Sequence, residues 1–255
     1  MKNTIIFAST LALFLGACNE PRATSPGAST ATTASHPPTR ARPSAAPAEP
    51  EVAPSPAGAP VNTLRSWTFD GDAANAVPAG FTFSRTGSGA MGRWVVRAEA
   101  DAPSRPNVLA QLDDDDTDVR FPVAVANGVS LLNLRLSVRC KPISGRVDQA
   151  CGLVFRYRDE NNYYITRANP LENNVRLYTV KDGRRWQIAS WSGTVTAGAW
   201  HQYAVEARGD HLQVFWDGTK VLDHHDATFT VPGGVGVWTK ADSIVYFDDL
   251  RAESH

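Results

Sequence analysis

Residues with reactive side chains are plentiful in this chain, but few of their spacings suit a reaction. Five carboxylates crowd into Asp113, Asp114, Asp115, Asp116 and Asp118. Hard cations want several oxygens, yet consecutive acids on one turn mostly repel each other and stay solvated, so the run reads as a solvated turn. His224-His225-Asp226 sets imidazoles beside an acid, but adjacent strand residues point to opposite faces. His201 and His211 flank one expected hairpin and form no constellation. Neither a Gly-x-Ser-x-Gly elbow nor His-Glu-x-x-His occurs, so a serine hydrolase or zinc peptidase has no support. Gly233-Gly234-x-Gly236 leads into a strand and not into a strand-to-helix turn, which removes the phosphate-binding reading.

Cysteine chemistry is better specified. Cys140 and Cys151 are separated by a segment containing Pro142, Ser144 and Gly145, and both flanks alternate as strands do. A hairpin would bring the two side chains opposite each other, and an oxidising compartment would join them in a disulfide. A metal-binding or catalytic thiol would want a CxxC spacing or a neighbouring histidine, and neither is present.

The elements that must position these groups are strands. Fourteen short runs from Arg65 to Leu250, rich in Val, Phe, Tyr and Trp, are broken by turn signals such as Asp182-Gly183, Gly209-Asp210 and Asp217-Gly218. With no convincing amphipathic helix and no long crossover, the expected fold is all-β, a two-sheet antiparallel β-sandwich. In Gly152–Arg158 the period of two puts Leu153, Phe155 and Tyr157 on one face. Val154, Arg156 and Arg158 fall on the other, which is too polar for a core and is read as lining a groove.

Composition divides the chain. Ten of the 17 prolines lie between Pro21 and Pro60, all seven tryptophans lie at or after Trp67, and residues 19–62 hold no Phe, Trp or Tyr. A segment so poor in apolar surface cannot offset its ordering entropy, so 19–62 is expected to be a disordered Pro/Ala/Ser/Thr linker. Residues 63–255 remain as one domain with a sizeable core. The balance of 25 Lys and Arg against 26 Asp and Glu argues against a nucleic-acid partner. Residues 1–18 carry a short basic start and an apolar run that marks a secretory signal and is too short for an ordinary membrane span. Leu15-Gly16-Ala17-Cys18 resembles the bacterial lipobox, which implies lipidation of Cys18 and contact with a membrane through that anchor only. With Asn19 following, the resemblance implies an outer membrane lipoprotein, periplasmic or surface-exposed.

Longer stretches carry a family resemblance. Gly152 to Tyr164 resembles a recurring motif of concanavalin A-like, laminin G-like jelly rolls. Arg167-Ala168-Asn169-Pro170-Leu171-Glu172-Asn173-Asn174-Val175, Val237-Trp238-Thr239-Lys240-Ala241-Asp242-Ser243 and Tyr246-Phe247-Asp248-Asp249-Leu250 narrow it. Together they are similar to the 3-keto-disaccharide hydrolase family, also called family 16 glycoside hydrolase-like. The resemblance implies a concanavalin A-like jelly roll with a glycan-facing sheet and carbohydrate as the partner. Its named reaction cleaves a glycosidic bond of a sugar bearing a ketone at carbon 3. That ketone acidifies the proton at carbon 2, so elimination needs a base and an electrophile near the carbonyl oxygen; none of these motifs fixes either group. Conventional retaining hydrolysis needs two close carboxylates. The only near match to Glu-x-Asp-x-x-Glu is Glu99-Ala100-Asp101 with Ser104 in place of the last acid, which argues against that route.

The groove-lining candidates are Arg156, Arg158, Tyr164, Arg167, Asn169, Glu172, Asn173 and Lys240, because guanidinium forks, amides and aromatic faces suit sugar hydroxyls and rings. Cross-strand ion pairing is the competing role for the arginines, and turn formation for Glu172 and Asn173. Trp238, Tyr157 and Tyr163 are assigned to the core. Jelly rolls of this kind often hold a structural calcium, and Asp70 and Asp248 are the matching acids. A non-catalytic carbohydrate-binding or structural lipoprotein is the alternative to an enzyme.

Overall fold

The computed structural model describes residues 63–255. Cys18, the signal segment and the linker over 19–62 lie outside the described residues. Alternating apolar and polar side chains produce fifteen strands and no helix among these residues. They are β1 Leu64–Trp67, β2 Phe81–Gly87, β3 Trp94–Ala98, β4 Asn107–Gln111, β5 Arg120–Ala126, β6 Leu134–Ser144, β7 Cys151–Asp159 and β8 Asn162–Asn169. The chain continues through β9 Asn174–Lys181, β10 Arg184–Ser192, β11 His201–Arg208, β12 His211–Trp216, β13 Thr219–His225, β14 Gly234–Trp238 and β15 Ile244–Ser254.

The strands form two antiparallel sheets, as the all-β sandwich expectation requires. Seven run in the order β10-β9-β8-β7-β14-β5-β2. The other eight include the path β13-β12-β11-β6-β15-β4-β3, with β1 on the free half of the long β15. Leu136, Val138, Leu153, Phe155, Leu177, Val205, Val237 and Phe247 meet between the sheets in the main core. β2 was not expected as a strand, although Phe81 and Phe83 alternate; it pairs with β5 at the sheet edge.

Cys140 and Cys151 are disulfide-bonded, but not across a hairpin. β6 belongs to the eight-stranded sheet and β7 to the seven-stranded one, so the bond ties the two sheets together. The segment between the cysteines is the crossing from one layer to the other.

The run of acids is not a bare solvated turn. Asp113 pairs with the buried Arg120 at 2.8 Å, Asp116 with Arg146 at 2.8 Å, and Asp118 with Lys240. Asp115 accepts from Thr117 and from the Ala90 N–H, contacts that hold its carboxyl at about 2.

Candidate functional site

The seven-stranded sheet is apolar on both faces. Leu153, Phe155, Tyr164, Leu177 and Val237 point into the inter-sheet core. Their alternates Val154, Tyr163, Ile165, Tyr178 and Trp238, with Phe121 and Val123, form a separate cluster on the outer face. Phe121 and Trp238 stack with centroids 5.4 Å apart. The indole N–H of Trp238 donates to the Tyr163 hydroxyl, which also exchanges a hydrogen bond with Thr86. This is an aromatic floor, ordered by its own hydrogen bonds.

Strand periodicity carries that face into a polar cluster. Along β8, residues 163, 165, 167 and 169 share one side, so Arg167 and Asn169 follow Tyr163 and Ile165. Arg176 is the cross-strand partner of Arg167 on β9. The turn from β8 to β9 folds Glu172 back over both guanidiniums, with its Oε2 at 2.8 Å from Arg167 and 3.0 Å from Arg176. Asn169 Nδ2 donates to Asp148 Oδ1 at 2.9 Å, and Lys240 Nζ lies 3.1 Å from Asp148 Oδ2. Four candidates named from sequence, Arg167, Asn169, Glu172 and Lys240, therefore meet around Asp148.

The two acids of the cluster sit in opposed environments. Asp148 is 1% exposed. Burial pushes its carboxyl above the usual aspartate range, and the positive charges of Lys240 and Arg167 offset only part of that. Burial also opposes the charge of Glu172, but hydrogen bonds and charges from Asn174, Arg167 and Arg176 outweigh it and hold that carboxyl below the usual glutamate range. Lys240 is likewise held in its charged form against burial by Asp118 and Asp148.

A loop between β6 and β7 delivers Asp148, and Asp242 fixes that loop. The Asp242 carboxylate accepts the backbone N–H groups of Arg146 at 2.6 Å, Val147 at 3.0 Å and Asp148 at 2.9 Å. From the edge strand β10, Arg185 lays its guanidinium over the floor, 4.6 Å from the centroids of Phe121 and Tyr178 and 5.7 Å from that of Trp238. Asp148, Arg176, Tyr178, Arg185 and Asp242 were not among the candidates. Asp242 lies within the Val237–Ser243 motif; the others carry no local signal.

The remaining candidates lie elsewhere. Arg156 has φ 48 and sits at a register shift in β7, so the alternation that put it on the outer face is broken there. Its guanidinium is buried and donates to the carbonyls of Leu132, Phe229 and Gly209. The backbone of Gly233 passes so close that an added Cβ would meet the Arg156 carbonyl carbon at 2.5 Å. Tyr164 points into the inter-sheet core, stacked on Phe155, with its hydroxyl on Asp226; its neighbour Tyr163 takes the outer face instead. Tyr157 and Trp238 join Tyr163 there, and not the main core. Arg158 is exposed, at the hairpin-tip end of β7. That is six residues along from Gly152, the partner of Arg167, or ~20 Å at strand spacing. Asn173 has φ 49 and accepts from the Val195 N–H, the geometry of a turn residue.

Asp70 and Asp248 do not fit a calcium site as they stand. Calcium wants six to eight oxygen ligands. Asp248 Oδ2 and Oδ1 already accept from the N–H and hydroxyl of Ser104, and Oδ1 also accepts from the Asp249 N–H. Asp70 accepts from the Asn107 N–H. Among the described residues no group of three or more acids, histidines or cysteines is placed to hold a metal ion.

The family model for 3-keto-alpha-glucoside-1,2-lyase-like domains matches residues 124–253, which include β6 to β14 and every member of the polar cluster. A levanase of Bacillus subtilis (strain 168) is 26% identical over 107 residues, 41% of this chain and 15% of the levanase. Among solved structures, the carbohydrate binding module CBM66 from Bacillus subtilis superposes with a TM-score of 0.54 at 20% identity. That match covers 69% of this chain and 96% of the module. A Bacillus subtilis protein with a galectin-like fold superposes with a TM-score of 0.50 at 11% identity, covering 68% of this chain and 88% of that one. At these identities the structural likeness is one of fold.

Proposed function

The chain belongs to the family of 3-keto-alpha-glucoside-1,2-lyase-like domains, and from that membership we propose that it engages glycans on the outer face of its seven-stranded sheet. The observation that carries the reading is the cluster of Arg167, Asn169, Glu172 and Lys240 around Asp148, set at the end of an aromatic floor. Guanidinium, ammonium and amide donors beside carboxylate acceptors suit the mixed donor and acceptor pattern of sugar hydroxyls. Both the levanase relative and the carbohydrate binding module that shares the fold are named for carbohydrate, which supports the same class of partner.

A second reading, elimination on a 3-keto-glycoside, is favoured by Asp148. Its carboxyl is raised by burial, as suits a proton acceptor, and Lys240 and Arg167 supply positive charge beside it for a developing enolate oxygen. In that chemistry the base takes the carbon-2 proton, a double bond forms between carbons 1 and 2, and the glycosidic oxygen leaves with the C1–O electron pair and takes a proton from water to become an alcohol. Both oxygens of Asp148 are engaged in the resting arrangement, by Asn169 and Lys240, so substrate would have to displace one of them.

The address completes the proposal. Lipidation at Cys18 and a spacer over 19–62 would hold the domain off an outer membrane. Incubating the protein with 3-ketoglucosides, alongside a glycan array, separates the readings. Turnover that is lost in Asp148→Asn supports the lyase. Glycan binding without turnover leaves a recognition domain, and the absence of both would sink the assignment. Cys18→Ala is expected to move the protein from the membrane fraction to the soluble one.

A further inference from the structure

Among the described residues, Arg185 is the cation of the outer face that has no ion-pair partner. Arg167 and Arg176 share Glu172, and Lys240 is held between Asp148 and Asp118. The Arg185 guanidinium makes no hydrogen bond and no ion pair with any described residue; it lies over the rings of Phe121, Tyr178 and Trp238, and its Nη1 is buried without an acceptor. The Nε atoms of Arg167 and Arg176 are also buried without acceptors. Arg167 stands over the same Tyr178 ring, 6.0 Å from its centroid, and its charge opposes that of Arg185 by more than the Asp148 carboxylate supports it.

A guanidinium has five N–H donors in a rigid fork. Stacking on aromatic faces offsets part of its desolvation, but leaves the buried Nη1 without an acceptor, which is costly. Such an arrangement is tolerated at a site where the missing acceptor arrives with the ligand. A neutral diol would satisfy donors without supplying countercharge. A carboxylate supplies both, in the planar two-oxygen geometry that the fork fits. We infer that Arg185 reads a sugar carboxylate and that the outer face selects glycans bearing uronic acids. This rests on the glycan-engaging reading above.

An array of uronate oligosaccharides, each printed beside its methyl ester, together with neutral oligosaccharides, tests the idea on the full-length protein. Calorimetric titration of the strongest binders follows. The free acid is expected to bind at least about tenfold more tightly than its ester, the range of one charge-assisted contact, and the preference should weaken with salt. Arg185→Gln is expected to abolish that preference with a melting temperature equal to or above wild type, because the charge it removes has no partner. Arg185→Lys, which keeps the charge without the fork, should restore part of it. Equal affinity for acid and ester, strongest binding to neutral glycans, or a preference that survives R185Q would overturn the role of Arg185 and leave glycan engagement standing. Binding to no glycan at all would remove both readings together.

Discussion

Asp242, just beyond β14, accepts the backbone N–H of Asp148 at 2.9 Å, across 94 residues of sequence. With the N–H groups of Arg146 and Val147 on the same carboxylate, one acid fixes the loop that carries another. Burial opposes the charge of Asp242, but these N–H groups outweigh it and hold the carboxyl below the usual aspartate range. A depressed folded-state pKa means that the stabilisation is complete above the unfolded value, ~3.9, and is lost as pH falls through the folded one. Asp242→Asn is therefore expected to cost about 1.5–3 kcal/mol near neutral pH and to weaken glycan binding by releasing Asp148. Urea titrations at pH 7 and at pH 3 check it. A deficit that does not shrink at the lower pH would count against the role given to the charge.

Lys240 gives a second pH-dependent prediction, through Asp148. The Asp148 carboxyl is raised by burial, so the folded state holds its proton more tightly than the unfolded state. Stability from this group declines as pH rises from the ordinary aspartate value, ~3.9, to the raised folded one. Removing the ammonium in Lys240→Met leaves a buried carboxylate without its ion-pair partner and lifts its folded pKa further. The cost should be about 3 kcal/mol at neutral pH and should fade as pH falls towards ~3, where Asp148 is largely protonated in both states. Equal deficits at the two pH values, measured from denaturation midpoints, would contradict the pairing.

Part of this site is legible along single strands. Arg167 and Asn169 lie on one face of β8 because alternation places them there, and Glu172 reaches Arg167 across a short turn. The parity of β8 is harder to read, because both faces of the seven-stranded sheet are buried. Tyr163 and Tyr164 have equally apolar surroundings, and only packing against the second sheet decides that Tyr164 goes inward. Arg156 is misplaced by alternation because a bulge is a backbone event, signalled only by Gly233 in a distant segment. Asp148 sits in a loop whose shape is set by Asp242, and Arg185 differs from Arg184 only in its pairing opposite Val180. Contacts between segments far apart in sequence leave no mark in a local pattern.

The bulge gives a prediction that separates structure from recognition. Arg156 closes three backbone carbonyls inside the sandwich, away from the polar cluster. Arg156→Met should leave those carbonyls without their donors and cost about 2–4 kcal/mol. Gly233→Ala should cost about 1–3 kcal/mol by overpacking against the Arg156 backbone. Neither substitution should change glycan affinity once the folded fraction is accounted for. Calorimetry on each variant below its melting temperature reads this directly, and a selective loss of affinity in Arg156→Met would restore that residue to the site.

The disulfide makes the last prediction, and its position between sheets sharpens what to measure. Cys140 and Cys151 are 11 residues apart, so closing the loop contributes about 2–3 kcal/mol in the chain-entropy treatment. Because the bond joins β6 of one sheet to β7 of the other, its loss should loosen the start of β7 and the loop bearing Asp148. Cys140→Ser should lower the melting temperature of the oxidised protein, and a reductant should bring wild type down to the variant. Amide exchange should quicken first in residues 145–153, while β12 and β13 at the far edge of the eight-stranded sheet stay protected. Two free thiols by titration of the oxidised wild-type protein would refute the bond. Uniform acceleration across both sheets would refute the local consequence drawn from it.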